Sequence, residues 1–220
     1  MAHLLHIDTS TDRGMVAIGG DGQLLAYRVN PDQRNHAAAV NLMIDELLAE
    51  VGITMQQLSA VVVCAGPGSY TGLRVGMATA KGVCYALDKP LIADNRLTLL
   101  AHQAYKQHGS TYAQYAVLLS AREKEYFISV YDNHFISALQ PQHMMETDLP
   151  EMLQNENTYV ITDVPEEKIN AIFANITPDF CTEIDVNVWI SYSFDKYNCN
   201  DIVNLANAEP FYLKQVYTHK

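Results

Sequence analysis

An α/β fold in two lobes is predicted by three features of the chain. Strand-like segments open it, amphipathic helices then alternate with one continuous apolar run, and a second group of strand-like segments starts near residue 115. The 220 residues exceed one average domain and fall short of two large ones, which suits one compact unit or two small lobes.

Residues 4–8, 15–19 and 24–29 read as a meander of three strands, with Asp21-Gly22 supplying the positive-φ turn between the last two. Asn35 is placed to cap a helix from His36 to about Val51, where Gly52 offers a left-handed stop. In that helix Val40, Met43, Ile44, Leu47, Leu48 and Val51 share one face, which is its core face. Thr54 and Gln57 have capping-box spacing for a short helix, and residues 60–65 form the apolar run of a strand covered on both sides. A Gly-rich turn follows, then a helix over about 72–87, a short buried segment at 91–93 and a helix over 97–106. This βββ-α-β-α order is the opening of a ribonuclease-H-like lobe. Strands are predicted again at 115–120, 126–131 and 135–139, with a turn at Asp132-Asn133. Pro165 with Glu166 and Glu167 begins a helix that reaches Ala174, and residues 187–200 are ambiguous. The lobes are expected to be 1–110 and 111–220, divided near 108–114.

Composition excludes several functions. Hydrophobic residues make up 49% and charged residues 18%, a globular balance. The formal net charge is −11, with no basic stripe to follow phosphates, so RNA binding by the chain alone is not expected. Cys64, Cys84, Cys181 and Cys199 lack zinc-ligand spacing, no secretory leader is read, and no apolar run reaches membrane-span length. A soluble cytoplasmic protein with free thiols and no membrane contact is the expectation.

Two places could carry chemistry. Asp8, Thr9 and Ser10 sit at the mouth of the first hairpin, where they could face a phosphate or form an Asx turn on their own backbone. Gly66, Gly68 and Ser69 lie in the turn between a buried strand and a helix, either an anion nest or a turn tightened for packing. There is no Walker ending, and Lys81 lies ~13 Å along the helix from the turn. His3 and His6 point to opposite faces of a strand and His102 and His108 diverge on a helix, so no metal is expected. Ser69 is not in a nucleophile elbow, and a hydrolase reading finds no nucleophile.

The helix after the turn is apolar or small over roughly 260° of its circumference, leaving only Arg74, Lys81 and Tyr85 on a polar edge, so it must be covered on two sides. Gly72, Gly76 and Ala80 make one ridge of small residues, and Ala78, Gly82 and Ala86 make another. Ala38, Leu42 and Ala49 form a small apolar seam on the first helix, opposite its core face. Either the other lobe or a partner protein could cover these seams.

IDTST at 7–11, Arg34-Asn35-His36 and GPGSYTGLRVGMATAKGV at 66–83 resemble the TsaB (YeaZ) family. Leu118 to Arg122 with Glu125-Tyr126 resemble a further motif of that family and Ala208 to Leu213 its C-terminal signature, so the resemblance covers about residues 3–132 well, the last dozen thinly and the middle hardly at all. The chain departs from the pattern at Tyr70, at Ala37-Ala38, at Ser120 and over Ala93-Asp94-Asn95-Arg96.

The resemblance implies a two-lobed actin-like (ASKHA, ribonuclease-H-like) fold and a non-catalytic subunit for making threonylcarbamoyl adenosine in tRNA. It implies docking of the first-lobe helices on a TsaD-like catalytic subunit, with a TsaE-like ATPase joining. On that reading the docking residues are His36, Ala38, Leu42 and Ala49 of the first helix, and Gly72, Arg74, Val75, Gly76, Thr79 and Ala80 of the second. Asp8, Thr9, Ser10, Gly66, Gly68 and Ser69 would be a vestigial phosphate site. ATP and metal belong to the partner subunits, tRNA is reached only through the complex, and the isolated chain is a candidate homodimer. An active actin-like ATPase or kinase, and a protease, are the alternatives.

Overall fold

A computed structural model describes residues 1–30, 32, 35–151, 157–173 and 176–212. Arg34, Ala174 and Leu213, which the sequence reading invoked, lie outside the described residues.

The first compact unit holds residues 1–95 and 185–211. Its strands are β1 (His3–Asp8), β2 (Gly14–Gly20), β3 (Gln23–Asn30), β4 (Leu58–Gly66) and β5 (Leu91–Asn95), in the order β3-β2-β1-β4-β5. β1, β2 and β3 pair antiparallel, and β4 and β5 add in parallel. Asp21 and Gly22 have φ of 48° and 80°, as the predicted hairpin requires. Helix α1 (His36–Val51) packs on β2 and β3, and α2 (Tyr70–Leu87) packs mainly on β4. Leu5, Ile7, Val16, Ile18, Val61 and Val63 alternate along the strands to meet Val40, Ile44, Leu47, Met77 and Ala80 of these helices.

Gly52 ends α1 at φ 74°, while Asn35 makes no side-chain cap bond. The capping box of Thr54 and Gln57 is formed, but on a single 3-10 turn, Met55–Gln57, that leads straight into β4. Its few residues leave no room for an α-helix before the strand.

The second unit holds residues 96–184 and Tyr212. It repeats the topology: β6 (Gln114–Arg122), β7 (Glu125–Asp132) and β8 (Ser137–Met145) form the meander, and β9 (Thr158–Thr162) and β10 (Ile176–Asp179) add in parallel. Helix α3 (Arg96–His108) covers one face through Leu97, Leu100 and Ala104 on Tyr115, Val117 and Ile161. Leu149 of the 3-10 segment Glu146–Glu151 and Ile169 of α4 (Glu166–Ile172) cover the other.

The division between units differs from the predicted 108–114. It falls between Asn95 and Arg96, because α3 buries its apolar face on the second sheet. Residues 185–211 return to the first unit. Their helix α5 (Val186–Asn198) settles the ambiguous stretch: Asp185 caps it by accepting from the N–H of Asn187 and Val188.

Helix α5 lies on the opposite face of the first sheet from α1 and α2, contacting β1, β3 and β5. Buried polar groups fix it there. Trp189 Nε1 donates to Asp94 Oδ2 (2.8 Å), Lys196 Nζ donates to Asp94 Oδ1 (3.0 Å), and His6 Nε2 lies 2.6 Å from Ser193 Oγ. His6 Nδ1 lies 3.2 Å from Leu4 O, and Ser193 Oγ also reaches Trp189 O (2.9 Å), so the imidazole is held between its own strand and the helix.

Burial depresses His6 from 6.5 to about 3, outweighing the backbone bond to Leu4. Between those values the unfolded chain binds more protons than the folded one, so stability rises with pH across the window and is lost on acidification. Stability from urea titrations between pH 6 and 4 is expected to fall more steeply for the wild type than for His6→Gln, by up to ~1.4 kcal/mol per pH unit. Equal slopes would mean that His6 is not held neutral.

Candidate functional site

The two regions singled out from sequence meet, and they fill one another. Ser10 N donates to Asp8 Oδ1 (2.8 Å), the Asx turn of the alternative reading. Ser69 N then donates to Ser10 O (2.7 Å), and Thr9 Oγ1 donates to Gly72 O (2.6 Å). A methyl group on Gly68 would overlap the Ser10 carbonyl oxygen, and one on Gly72 would overlap that of Thr9. The glycines therefore admit the chain's own 8–11 turn. Gly66, at φ 114°, sets the direction in which the chain leaves β4. Ser69 caps α2 by accepting from Gly72 N (3.3 Å).

This packing corrects part of the expected docking surface. Gly72, Gly76 and Ala80 are buried, and Gly76 faces Thr9, Val63 and Ile7, so this ridge carries an internal contact. His36 is buried as well. Its Nε2–H donates to Thr11 O (3.0 Å), and its Nδ1 accepts from Asn30 Nδ2 at 3.3 Å, which ties the start of α1 to the first hairpin. Val75 and Thr79 are half-buried, and Arg74 is exposed with its guanidinium 4.3 Å from the Tyr70 ring centroid.

The second ridge is the open one. Ala78, Gly82 and Ala86 are exposed, and a methyl group on Gly82 would meet nothing within 4 Å. Tyr85 beside them is 84% exposed. On α1, Ala38 and Ala49 are exposed and Leu42 is 60% exposed, on the face away from the core. The α1–α2 layer thus presents an apolar, small-residue surface outward, edged by Arg74, Asp45 and Glu46.

The two ridges can be told apart in the isolated chain. Gly72→Ala is expected to destabilise it by ~2 kcal/mol or more, since backbone must move away from Thr9. Gly82→Ala is expected to stabilise it by ~0.5–1 kcal/mol through helix propensity alone. Urea midpoints of the two variants decide this, and equal shifts would reject the assignment.

In the second unit, the segment around the Ser120 to Tyr126 motif is tied internally. Asp163 Oδ1 accepts from Ser120 N (2.7 Å), Glu125 Oε2 lies 2.9 Å from His143 Nε2, and Tyr126 OH donates to Glu146 (2.8 Å), which also holds Lys168 (2.8 Å). Among the described residues no three His, Cys, Asp or Glu side chains converge as a metal set, and no helix is long and apolar enough to cross a membrane. The four cysteines are free thiols, Cys64 and Cys84 buried, Cys181 and Cys199 exposed.

Comparison with known proteins fits this fold. Residues 26–209 match the model of the TsaD family, tRNA N6-adenosine threonylcarbamoyltransferase. The TsaB protein (tRNA threonylcarbamoyladenosine biosynthesis) of Haemophilus influenzae is 36% identical over 127 residues, covering 57% of this chain and 52% of that protein. The TsaB protein of Bacillus subtilis is 29% identical over 161 residues, covering 72% and 69% respectively. The chain thus spans about half the length of the Haemophilus relative. The crystal structure of YeaZ from Pseudomonas aeruginosa superposes with a TM-score of 0.79 over 96% of this chain and 100% of that one, at 22% identity. The α/β fold is therefore that of YeaZ. With most of its length inside the TsaD-family model and its sequence likeness lying with TsaB, the chain belongs to that family as one of its TsaB (YeaZ) members.

Proposed function

We propose that the chain is a non-catalytic subunit that docks on a TsaD-like catalytic protein and activates it for threonylcarbamoylation of adenosine in tRNA. The observation that carries this reading is the outward face of α1 and α2, where Leu42 and Tyr85 stand exposed among Ala38, Ala49, Ala78 and Gly82. Small residues let a second helical pair come close, and the two large side chains supply anchors for it. The named TsaB relatives belong to the biosynthesis of this nucleoside, and the family model is that of the transferase itself. A partner of the same family would offer a comparable helical layer, and a second copy of this chain would compete for the same face.

Occupation of the Gly66–Gly72 turn by Thr9 and Ser10 favours this role over a nucleotide-hydrolysing one. On this reading ATP and metal sit on the partner subunits, the TsaE-like ATPase joins the assembly, and tRNA is met only through the complex. The net charge of −11 opposes tRNA phosphates and agrees with that division of labour. The test is reconstitution of threonylcarbamoylation from the TsaD-like and TsaE-like proteins of the same organism, with and without this chain. Activity that depends on the chain supports the proposal. Full activity without it, or ATP turnover by the chain alone that Asp8→Ala abolishes, would overturn it.

A further inference from the structure

Lys81 finds its acceptors in the chain's own backbone. After α5 the chain returns along the β5 edge of the first sheet, where Val203 N donates to Leu91 O (2.9 Å). Lys81 Nζ donates to the carbonyls of Ala208 (2.9 Å) and Ala206 (3.3 Å). Phe211 N donates to Ala65 O (2.8 Å), at the end of β4 where the Gly-rich turn begins. Val203, Leu205 and Ala208 pack inward on the first core, while Asn204, Ala206, Asn207 and Glu209 stay exposed. Residues 203–211 are therefore a strap.

The sheet order fixes which side of α2 the strap takes. Helix α1 lies over β2 and β3 and the strap joins β5, so α2 runs between them. Around α2, Lys81 sits about 20° from Arg74 and about 40° from Tyr85, on the rim of the open face. Each of its two strap bonds pairs a charged donor with a carbonyl, the stronger kind of hydrogen bond.

We propose that Lys81 is a positioning residue, which holds the C-terminal strap against α2 so that the strap forms the third ridge of the docking face beside α1 and α2. The proposal deepens the docking reading above and rests on it. Residues 204–209 then touch the TsaD-like partner, and the lysine within the GLRVGMATAKG stretch acts through them.

The test combines amide hydrogen exchange of the whole chain with its affinity for the TsaD-like protein. In Lys81→Met, which keeps the apolar stem, strap amides such as Val203 and Phe211 are expected to exchange ~10-fold faster or more, with β1 and β4 unchanged. Affinity for the partner is expected to fall ~5- to 10-fold, and Lys81→Arg, which keeps charged donors, is expected to restore both. Unchanged strap exchange in Lys81→Met would overturn the tie. A freed strap with full affinity would remove the strap from the docking face. If Leu42→Glu also binds fully, or the wild type does not bind, the docking reading fails and the strap's part in it falls too. The exchange data still decide the role of Lys81 within the chain.

Discussion

Leu42→Glu is expected to leave the isolated chain folded and to weaken its complex with the TsaD-like protein by about a hundredfold or more. Leu42 is 60% exposed on α1 while Met43, Ile44 and Leu47 point inward, so the substitution opens no cavity. Glutamate is a good helix former, and its repulsion from Asp45 and Glu46 amounts to a few tenths of a kcal/mol. In the complex the same carboxylate would lose water without gaining a partner, which costs several kcal/mol, and a hundredfold in affinity corresponds to only ~2.7 kcal/mol. Circular dichroism and size-exclusion chromatography, alone and mixed with the partner, separate the outcomes. An unfolded variant would put Leu42 in the core, and undiminished co-elution at micromolar concentration would move the interface elsewhere.

The largest loss of stability is expected at the base of α5. Asp94 is 1% exposed and satisfied by Trp189 and Lys196. Burial pushes its carboxyl up, against the pull of the Lys196 charge and the two hydrogen bonds. Lys196→Met leaves that carboxylate buried with the indole alone, at a cost of ~3–5 kcal/mol. Asp94→Asn with Lys196→Met is expected to recover most of this, because the amide oxygen still accepts from Trp189 and no buried charge is left, Asp201 being exposed. The pH dependence has a definite sign. A carboxyl raised in the folded state holds its proton longer than in the unfolded chain, so its contribution is greatest in acid and is lost as pH rises through the raised value. Lys196→Met should therefore grow less stable from pH 4 upward, and the double variant should not. Trp189 is the only tryptophan and lies in the cluster, so urea titrations followed by its fluorescence read the effect directly. A loss below ~1 kcal/mol in Lys196→Met would show that the pair is not what seats α5.

The first hundred residues were legible because their periods are clean. Strands 15–19 and 24–29 flank an Asp-Gly turn, and α1 has an unbroken apolar face that ends at Gly52. Helix α5 was not legible, because Val186, Val188, Trp189, Ile190, Tyr192 and Phe194 are β-branched or aromatic and mimic a strand. What makes it a helix is tertiary: the Asp185 cap, and a groove lined by His6 and Asp94, both far away in sequence. Asp94 looked only like a departure from the family pattern.

The ridges of α2 show a different limit. Gly72-Gly76-Ala80 and Ala78-Gly82-Ala86 have the same spacing, and spacing reports close approach without saying what approaches. The position of the Thr9-Ser10 turn decides that the first is internal. Likewise, a Gly-rich turn after a buried strand suits a phosphate or a neighbouring backbone equally well until the Asp8 turn is in place.

Hydroxyl-radical footprinting of the chain, with and without the TsaD-like protein, tests the docking claim most directly because it reads side-chain exposure. Leu42 and Tyr85, 60% and 84% exposed in the chain alone, are expected to lose most of their reactivity in the complex. Ile136 and Met145 of the second unit, also exposed, are expected to react as before. Protection of the second-unit residues with Leu42 and Tyr85 still fully reactive would contradict the account.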